Sequence, residues 1–207
     1  MPAQFKKLLE GICGVRAPGP LPTFTVLHVV KALEVIARDG SVGRFRLSQE
    51  LGVGEGVVRT LLKRMKDAGI VRSARSGCIL TQNGVKLWEE LRSKLARKVE
   101  LGRSEISLGE YNVAILVKGS GSKVSAGLEQ RDAAVKAGAL GAVTIVMREG
   151  KLQIPMISDD ASKDFPRVYQ QVVKALQPQE GDVIVVGSAN EKLAAEYGAL
   201  AAAWTLL

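Results

Sequence analysis

The sequence predicts an α+β protein with two domains, and three observations support this prediction. The 207 residues are enough for two small domains, and 46% hydrophobic residues are enough for buried cores. Residues 1–105 carry 19 Lys and Arg against 10 Asp and Glu, whereas residues 106–207 carry 10 against 11. The apolar pattern is mainly helical in the first half and alternates between strands and helices in the second. We therefore expect one basic domain over 1–105 and a second, nearly neutral domain over 106–207.

The first half has the apolar spacing and capping residues of several helices. A Gly- and Pro-rich loop is expected at 11–22, a short strand at 43–46 and a tight turn at 52–54. The turn pair Ser76-Gly77 between two β-prone runs predicts a hairpin. The predicted helices occupy residues 3–10, 24–38, 47–51, 55–68 and 82–101. This order of elements predicts a winged helix-turn-helix domain.

The helix at 55–68 separates into two faces when its residues are placed about 100° apart. Its polar face includes Arg59, Thr60 and Lys63. Arginine can read guanine through two hydrogen bonds, and threonine can contact a base edge or the methyl group of thymine. Gly56 leaves room for backbone N–H groups to approach a phosphate. This face therefore predicts contact with the major groove of double-stranded DNA.

Further arginines accompany this helix in the predicted domain. Arg72 and Arg75 flank the hairpin tip, where a wing contacts phosphates or the minor groove. For the helix alone, a merely solvated polar face would be the better interpretation, but the basic hairpin favours DNA binding. The predicted DNA-binding residues are Arg44, Arg46, Ser48, Glu55, Gly56, Arg59, Thr60, Lys63, Arg72 and Arg75.

Two segments of this half resemble a known family. The segment GEGVVRTLLKRMKDAGIV at 54–71 and the segment SGCILTQNG at 76–84 resemble the winged helix of prokaryotic transcription regulators. They are similar to the N-terminal part of the central glycolytic genes regulator and to several archaeal regulators. The piece Leu80-Thr81-x-x-Gly84, between wing and last helix, is common among these proteins.

The whole chain resembles an archaeal family of two-domain transcription regulators. In that family the winged helix is joined to a C-terminal domain of unknown function, which the segments at 127–146 and 185–204 resemble. The resemblance implies a transcription regulator, and it identifies no ligand.

The second half predicts the order βαββαβ followed by a terminal helix. The runs at 113–117 and 183–186 are continuously apolar, which is typical of strands that are central or covered on both faces. The order resembles the split βαβ fold of small effector-binding domains. We therefore expect a two-layer α/β sandwich with a four-stranded, mostly antiparallel sheet. The predicted strands are 111–118, 142–148, 151–156 and 182–187, and the predicted helices are 124–138, 163–176 and 190–203.

Two loops of this half are candidates for binding a small anionic effector. The Gly-rich loop at 118–123 and the loop at 187–190 each lead from a strand toward a helix, although neither has P-loop spacing. If the loops converge, they form one polar pocket beside Arg131. The alternatives are a flexible connection for the first loop and an ordinary charged helix face for Arg131. The predicted ligand residues are Lys118, Ser120, Ser122, Arg131, Ser188 and Asn190.

Cysteine and histidine content excludes several kinds of site. Cys13 and Cys78 are far apart in the sequence, and His28 is the single histidine, predicted to be a core or boundary residue. We therefore expect no metal site, no cofactor and no catalytic residues. The acidic residues near 159–164 are expected to cap a helix rather than to bind Mg²⁺. No apolar run reaches the roughly 18 residues of a membrane span, and we expect a cytoplasmic protein without a membrane partner.

The sequence thus predicts a DNA-binding transcription regulator rather than an enzyme. A homodimer is expected, because one small module binds DNA weakly and because operators have two-fold symmetry. Two alternatives stay open. One is an enzyme or ligand-binding protein in the second half with a regulatory winged helix, and the other is an adaptor that binds protein or RNA.

Overall fold

A computed structural model describes residues 4–14 and 22–207 of the chain. Its contacts group into two compact units, Met1–Leu91 and Arg92–Leu207. The predicted boundary at 105/106 lies inside the second unit, because residues 95–101 are a strand of that unit's sheet. Most of the predicted loop at 11–22 lies outside the described residues.

The first unit has the predicted order of helices followed by a hairpin. Its apolar side chains at helical spacing, such as Leu33, Leu47 and Leu61, are completely buried. The elements are α1 (Gln4–Cys13), α2 (Val26–Asp39), α3 (Arg44–Leu51), α4 (Glu55–Asp67), β1 (Val71–Ala74), β2 (Gly77–Leu80) and α5 (Gln82–Lys94).

Helix α2 begins with a capping box. The backbone N–H of Thr25 donates to Nδ1 of His28 at 3.0 Å, and the Thr25 side chain faces the first turn in return. Burial lowers the pKa of His28, which favours the neutral ring that can accept this bond. The single histidine therefore lies at a helix boundary and orders the start of α2.

The predicted strand at 43–46 is wrong, because α3 already begins at Arg44. Val42, just before this segment, makes an isolated β-bridge to Cys78 of β2. Leu47 and Leu51 are buried one helical turn apart, whereas Phe45 is 64% exposed. Phe45 therefore contributes little burial, and helical packing of the two leucines decides the structure. Arg44 and Arg46 consequently lie on α3 rather than before it.

The turn between α3 and α4 has the predicted geometry. Gly52 ends α3 with φ 66° and ψ 30°, a left-handed conformation that glycine adopts without steric cost. Its backbone N–H donates to carbonyls of the last turn of α3.

The second unit is built around a five-stranded sheet. The strand order is β3-β4-β7-β5-β6, and each neighbouring pair in this fully described unit is antiparallel. The expectation of four strands was one too few, whereas the antiparallel character is as predicted. The elements are β3 (Leu95–Leu101), β4 (Tyr111–Val117), α6 (Leu128–Lys136), β5 (Gly141–Arg148), β6 (Lys151–Gln153), α7 (Ala161–Asp164), α8 (Pro166–Leu176), β7 (Val183–Ala189) and α9 (Lys192–Thr205).

The extra strand, β3, replaces the last part of the predicted helix at 82–101. Leu95 and Val99 have helical spacing, but β3 pairs with β4 along its length. Its alternate residues Val99 and Leu101 pack into the core, whereas Lys98 binds Glu196 on α9 from the opposite face. Period-two burial in the completed sheet therefore overrides the helical pattern.

Helices cover both faces of this sheet, so the predicted two-layer sandwich is wrong. On one face Ile184 and Val186 share a buried cluster with Val168 of α8. On the other face Gly187 lies against α9, where an added Cβ would be 2.4 Å from the backbone nitrogen of Ala199. The continuously apolar strands β4 and β7 are therefore covered on both sides, as their sequences indicated.

Among the described residues, no helix combines the length and the apolar character that crossing a membrane requires.

Candidate nucleic-acid interface

A cleft of about 630 Å³ lies in the first unit between α4, the start of α3 and the β1–β2 hairpin. Five positively charged side chains line it, and no described lining residue is acidic. We call this feature the basic cleft. Its cations are Arg44, Arg59, Lys63, Lys66 and Arg75.

Core packing of α4 decides which of its residues face the cleft. Val58, Leu61 and Met65 are almost completely buried on the inner side of the helix. Arg59 and Lys63 are one turn apart and exposed on the outer side. The alternation of apolar and basic residues at helical spacing therefore directs the cations away from the core.

The hairpin forms the opposite wall of the cleft. Ala74 pairs with Gly77, so the loop consists of Arg75 and Ser76, one residue earlier than the predicted turn pair. Gly77 has φ 137°, and a Cβ there would lie 2.6 Å from the carbonyl oxygen of Val42. This close approach holds the hairpin against the segment before α3 and brings Arg75 to the same cleft as Arg44.

Lys66 is a cleft residue that the predicted set did not include. Its Nζ donates to Oγ of Ser73 at 2.5 Å, so it joins α4 to β1 across the cleft. The signal was present in the sequence, because Lys66 follows Lys63 by three residues on the polar face of the same helix.

Arg46 is compensated by acidic side chains instead. Its Nη2 lies 2.9 Å from Oδ2 of Asp39, and its Nε lies 4.0 Å from Oε1 of Glu50. Arg38 binds the same two carboxylates. The hydrogen bond from Arg38 and the nearby charge of Arg46 lower the pKa of Asp39, so the network stays ionised. Arg46 therefore belongs to a four-residue ion-pair network.

The structure brings four of the ten predicted DNA-binding residues together in the cleft and leaves six outside its lining. Thr60 donates its hydroxyl to the carbonyl oxygen of Gly56 at 3.2 Å, and apart from the backbone of α4 itself no described atom lies within 4 Å of where a Cβ of Gly56 would be. The start of α4 is therefore open to an approaching ligand. The six residues outside the lining are Arg46, Ser48, Glu55, Gly56, Thr60 and Arg72.

The two cysteines are free thiols. Cys78 lines the cleft but is buried, and burial raises its pKa despite the nearby Lys66. Burial also raises the pKa of Cys13 to about 11. Both thiols are therefore protonated near neutral pH and have little nucleophilic character.

The predicted effector loops of the second unit lie at opposite ends of a strand pair. Val117, just before the first loop, pairs with Val183 at the start of β7, whereas Ser188 pairs with Asn112 at its other end. A strand of this length separates the two ends by about 20 Å. Arg131 approaches Gly141, which pairs with Ser188, so it lies near the second loop. The six predicted ligand residues therefore do not converge in one pocket.

Most of these residues also have partners within the fold. Lys118 donates to Oδ2 of Asp182 at 2.8 Å, and the backbone N–H of Gly119 donates to Oδ1 at 3.0 Å. Burial alone would raise the pKa of Asp182, but these bonds and one from Gln179 lower it overall. The first loop is thus held by a buried carboxylate and is not a flexible connection.

The remaining predicted ligand residues differ in burial. Ser120 is buried and donates to the carbonyl oxygens of Lys118 and Leu206, and Ser188 donates to Oδ1 of Asn112 at 2.7 Å. Ser122 and Asn190 are exposed. On the acidic segment, Asp160 accepts from the backbone N–H of Ser162, so it caps α7 as predicted.

Comparisons with known proteins support the two-domain organisation. Residues 108–206 match the model of a domain of unknown function (DUF4443), and residues 30–86 match the model "PH0730-like, N-terminal domain". The chain is also similar to a solved structure, "Hypothetical protein PH0730 from Pyrococcus horikoshii OT3". The sequence identity is 25% and the TM-score is 0.70, over 88% of this chain and 92% of that chain. A search of curated proteins found no match.

Proposed function

We propose that the first unit binds double-stranded DNA through the basic cleft and the exposed face of α4, and that the protein is a transcription regulator. The observation that carries this proposal is the convergence of five cations from α3, α4 and the hairpin on one cleft, whose described lining residues include no acidic side chain. Each phosphate of a nucleic acid carries a negative charge, and neutralising several of them releases counterions.

The cleft and the helix have complementary tasks in this proposal. Arg44 of α3 and Arg75 of the hairpin line the cleft beside α4, and Lys66 lines it from the end of α4. These three cations suit the phosphates of one DNA strand. Arg59 and Lys63 belong to both the cleft and the exposed face of α4, which also carries Thr60. An α-helix with its side chains is about 10–12 Å wide and fits the roughly 12 Å major groove.

The start of α4 contributes to base recognition. Glu55 is exposed in the first turn, and a carboxylate there can accept a hydrogen bond from the amino group of cytosine. The open space above Gly56 allows the helix end to approach the sugar–phosphate backbone closely. The half-buried Ser48 and the exposed Arg72 remain predicted contacts at the edges of this surface.

Fluorescence anisotropy with a labelled duplex tests DNA binding directly. We expect Arg59→Ala/Lys63→Ala to weaken binding at least about 30-fold, because each of the two lost contacts is worth about 1–3 kcal/mol. The control Lys7→Ala/Lys86→Ala removes the same charge from exposed positions on α1 and α5 and should change binding by less than about threefold. Equal weakening by both double variants would contradict an assigned interface.

The regulatory role requires sites in the genome as well as affinity. Genomic footprinting should find protected sequences upstream of genes, and the affinity for these sequences should exceed that for random duplex by at least about 1000-fold. Preference for single-stranded DNA or for RNA in competition would contradict the role and would favour an adaptor.

A further inference from the structure

Helix α6 exposes its large apolar residues and buries a polar one. Leu128 and Val135 are 58% and 49% exposed, whereas Gln130 is 2% exposed and donates to the hydroxyl of Thr205 at 2.8 Å. Residues seven apart lie on the same face of a helix, so Leu128 and Val135 form one stripe. The helix already packs its other face on the sheet and α9, so the stripe has no role in the core of the unit.

One further exposed leucine lies beside this stripe. Leu108 is 54% exposed. A Cβ placed on Gly141 would lie 2.7 Å from Cδ1 of Leu108 and 4.0 Å from Cγ of Arg131, so Leu108 lies beside the aliphatic stem of that arginine. An apolar surface of this kind marks an interaction site. The α6 face, as we define it, consists of Leu108, Leu128, Arg131 and Val135.

We propose that the α6 face binds the α6 face of a second copy of this chain, with the two helices antiparallel about a two-fold axis. Such an axis near residues 131–132 places Leu128 beside Val135 of the second copy. It also places Glu129 beside Lys136 of the second copy. Leu128 and Val135 then meet each other across the axis, and Glu129 meets Lys136, on an identical surface.

The charges of α6 select this occupant and this orientation. Acidic Glu129 precedes the centre of the helix and basic Lys136 follows it. Arg131 and Asp132 lie at the centre and are both exposed, with 3.4 Å between Nη2 of Arg131 and Oδ1 of Asp132. A parallel pair would place Glu129 against Glu129 and Lys136 against Lys136. The antiparallel pair replaces these repulsions with attractions and also opposes the two helix dipoles favourably. Complementarity of the face to itself therefore favours a second copy over an unrelated partner.

Sedimentation velocity of the full-length chain tests this proposal without reference to DNA. At micromolar concentrations the wild type should sediment with twice the monomer mass of 22.1 kDa. Leu128→Glu should raise the dimer dissociation constant at least about 100-fold, because it would place a charge against Val135 of the second copy in both apolar contacts of the interface. Met156→Glu is the matched control: Met156 is 90% exposed and outside the α6 face, so this variant should remain dimeric.

A charge exchange tests the orientation itself. Glu129→Lys should raise the dissociation constant about tenfold or more, since it creates two repulsive contacts across the axis. Combining it with Lys136→Glu should restore wild-type dimerisation, and unchanged circular dichroism spectra would show that the variants are folded. A monomeric wild type, a dimeric Leu128→Glu variant or the absence of rescue would each overturn the proposal. Because DNA binding is measured separately, these outcomes leave the proposed function to its own test.

Discussion

Replacing Gly84 with alanine should destabilise the first unit, although alanine is the better helix former. Gly84 lies in the first turn of α5, where an added Cβ would be 2.0 Å from the carbonyl oxygen of Ile70. That oxygen is fixed, because it accepts a hydrogen bond from the backbone N–H of Thr81 at 3.1 Å. The Thr81 hydroxyl donates to the carbonyl of Gly69 and accepts from the backbone N–H of Gly84. The methyl group therefore cannot be accommodated by moving a flexible side chain.

The size of the effect follows from two opposing contributions. Forcing the backbone apart costs about 3 kcal/mol, the upper end of the usual range for overpacking, because the overlap is with a fixed carbonyl oxygen. The better helix propensity of alanine returns about 1 kcal/mol, so the net loss is about 2 kcal/mol. For a unit of this size, 1 kcal/mol corresponds to about 4–8 °C, so the melting temperature should fall by at least about 8 °C.

Thermal unfolding followed by circular dichroism measures this difference. Gly56→Ala is the matched control, because it makes the same substitution in the first turn of α4 with no described atom, apart from the backbone of α4 itself, within 4 Å of the new Cβ. It should leave the melting temperature unchanged or raise it by a few degrees. If Gly84→Ala were as stable as Gly56→Ala, the assigned close contact between α5 and the Ile70 carbonyl would be refuted.

Three further substitutions test individual contacts. Asp182→Asn should lower stability by about 2 kcal/mol at pH 7. Because the pKa of Asp182 is lowered in the folded state, the carboxylate stabilises the fold above pH ~4, and this stabilisation disappears as the pH falls through the folded pKa. The free energies of unfolding of variant and wild type, measured with urea, should therefore converge on acidification. A difference between them that does not change with pH would contradict this. Arg64→Met should lower the free energy of unfolding by about 2–3 kcal/mol in the same assay, because Arg64 is buried and donates to two carbonyls at the end of α1. A variant as stable as the wild type would rule out that anchoring role. Arg46→Ala, whose charge is already compensated, should weaken duplex binding less than Lys63→Ala does, and an equal loss would show that Arg46 contacts DNA.

Local signals predicted the first unit well. Gly52 with a left-handed turn, the alternation of apolar and basic residues on α4 and a hairpin near residue 76 all depend on neighbours within a few residues. The ion pair of Arg46 with Asp39 was not predictable in this way, because Asp39 lies on another helix, whereas its longer contact with Glu50 has i,i+4 spacing on α3. Lys66 was available from helical spacing alone and was overlooked.

The second unit shows where local signals stop. Leu95 and Val99 have the spacing of a helix, but residues 95–101 form strand β3. The cause is the pairing of β3 with β4, which depends on the assembled sheet and not on neighbouring residues. The two effector loops would form one pocket if they converged, but β4 and β7 run antiparallel, and the loops lie at opposite ends of this strand pair. Whether two strands pair in parallel or antiparallel is decided by the tertiary structure, and loop composition does not predict it.

The salt dependence of duplex binding tests the central claim most directly. If the five cations of the basic cleft neutralise phosphates, the logarithm of the association constant should fall with the logarithm of salt concentration at a slope of about −4 to −5. Each cleft cation replaced by alanine should make this slope shallower by about 0.9, and Lys86→Ala should leave it unchanged. A slope near zero, or one that the cleft substitutions do not alter, would contradict the assignment of the basic cleft to the DNA backbone.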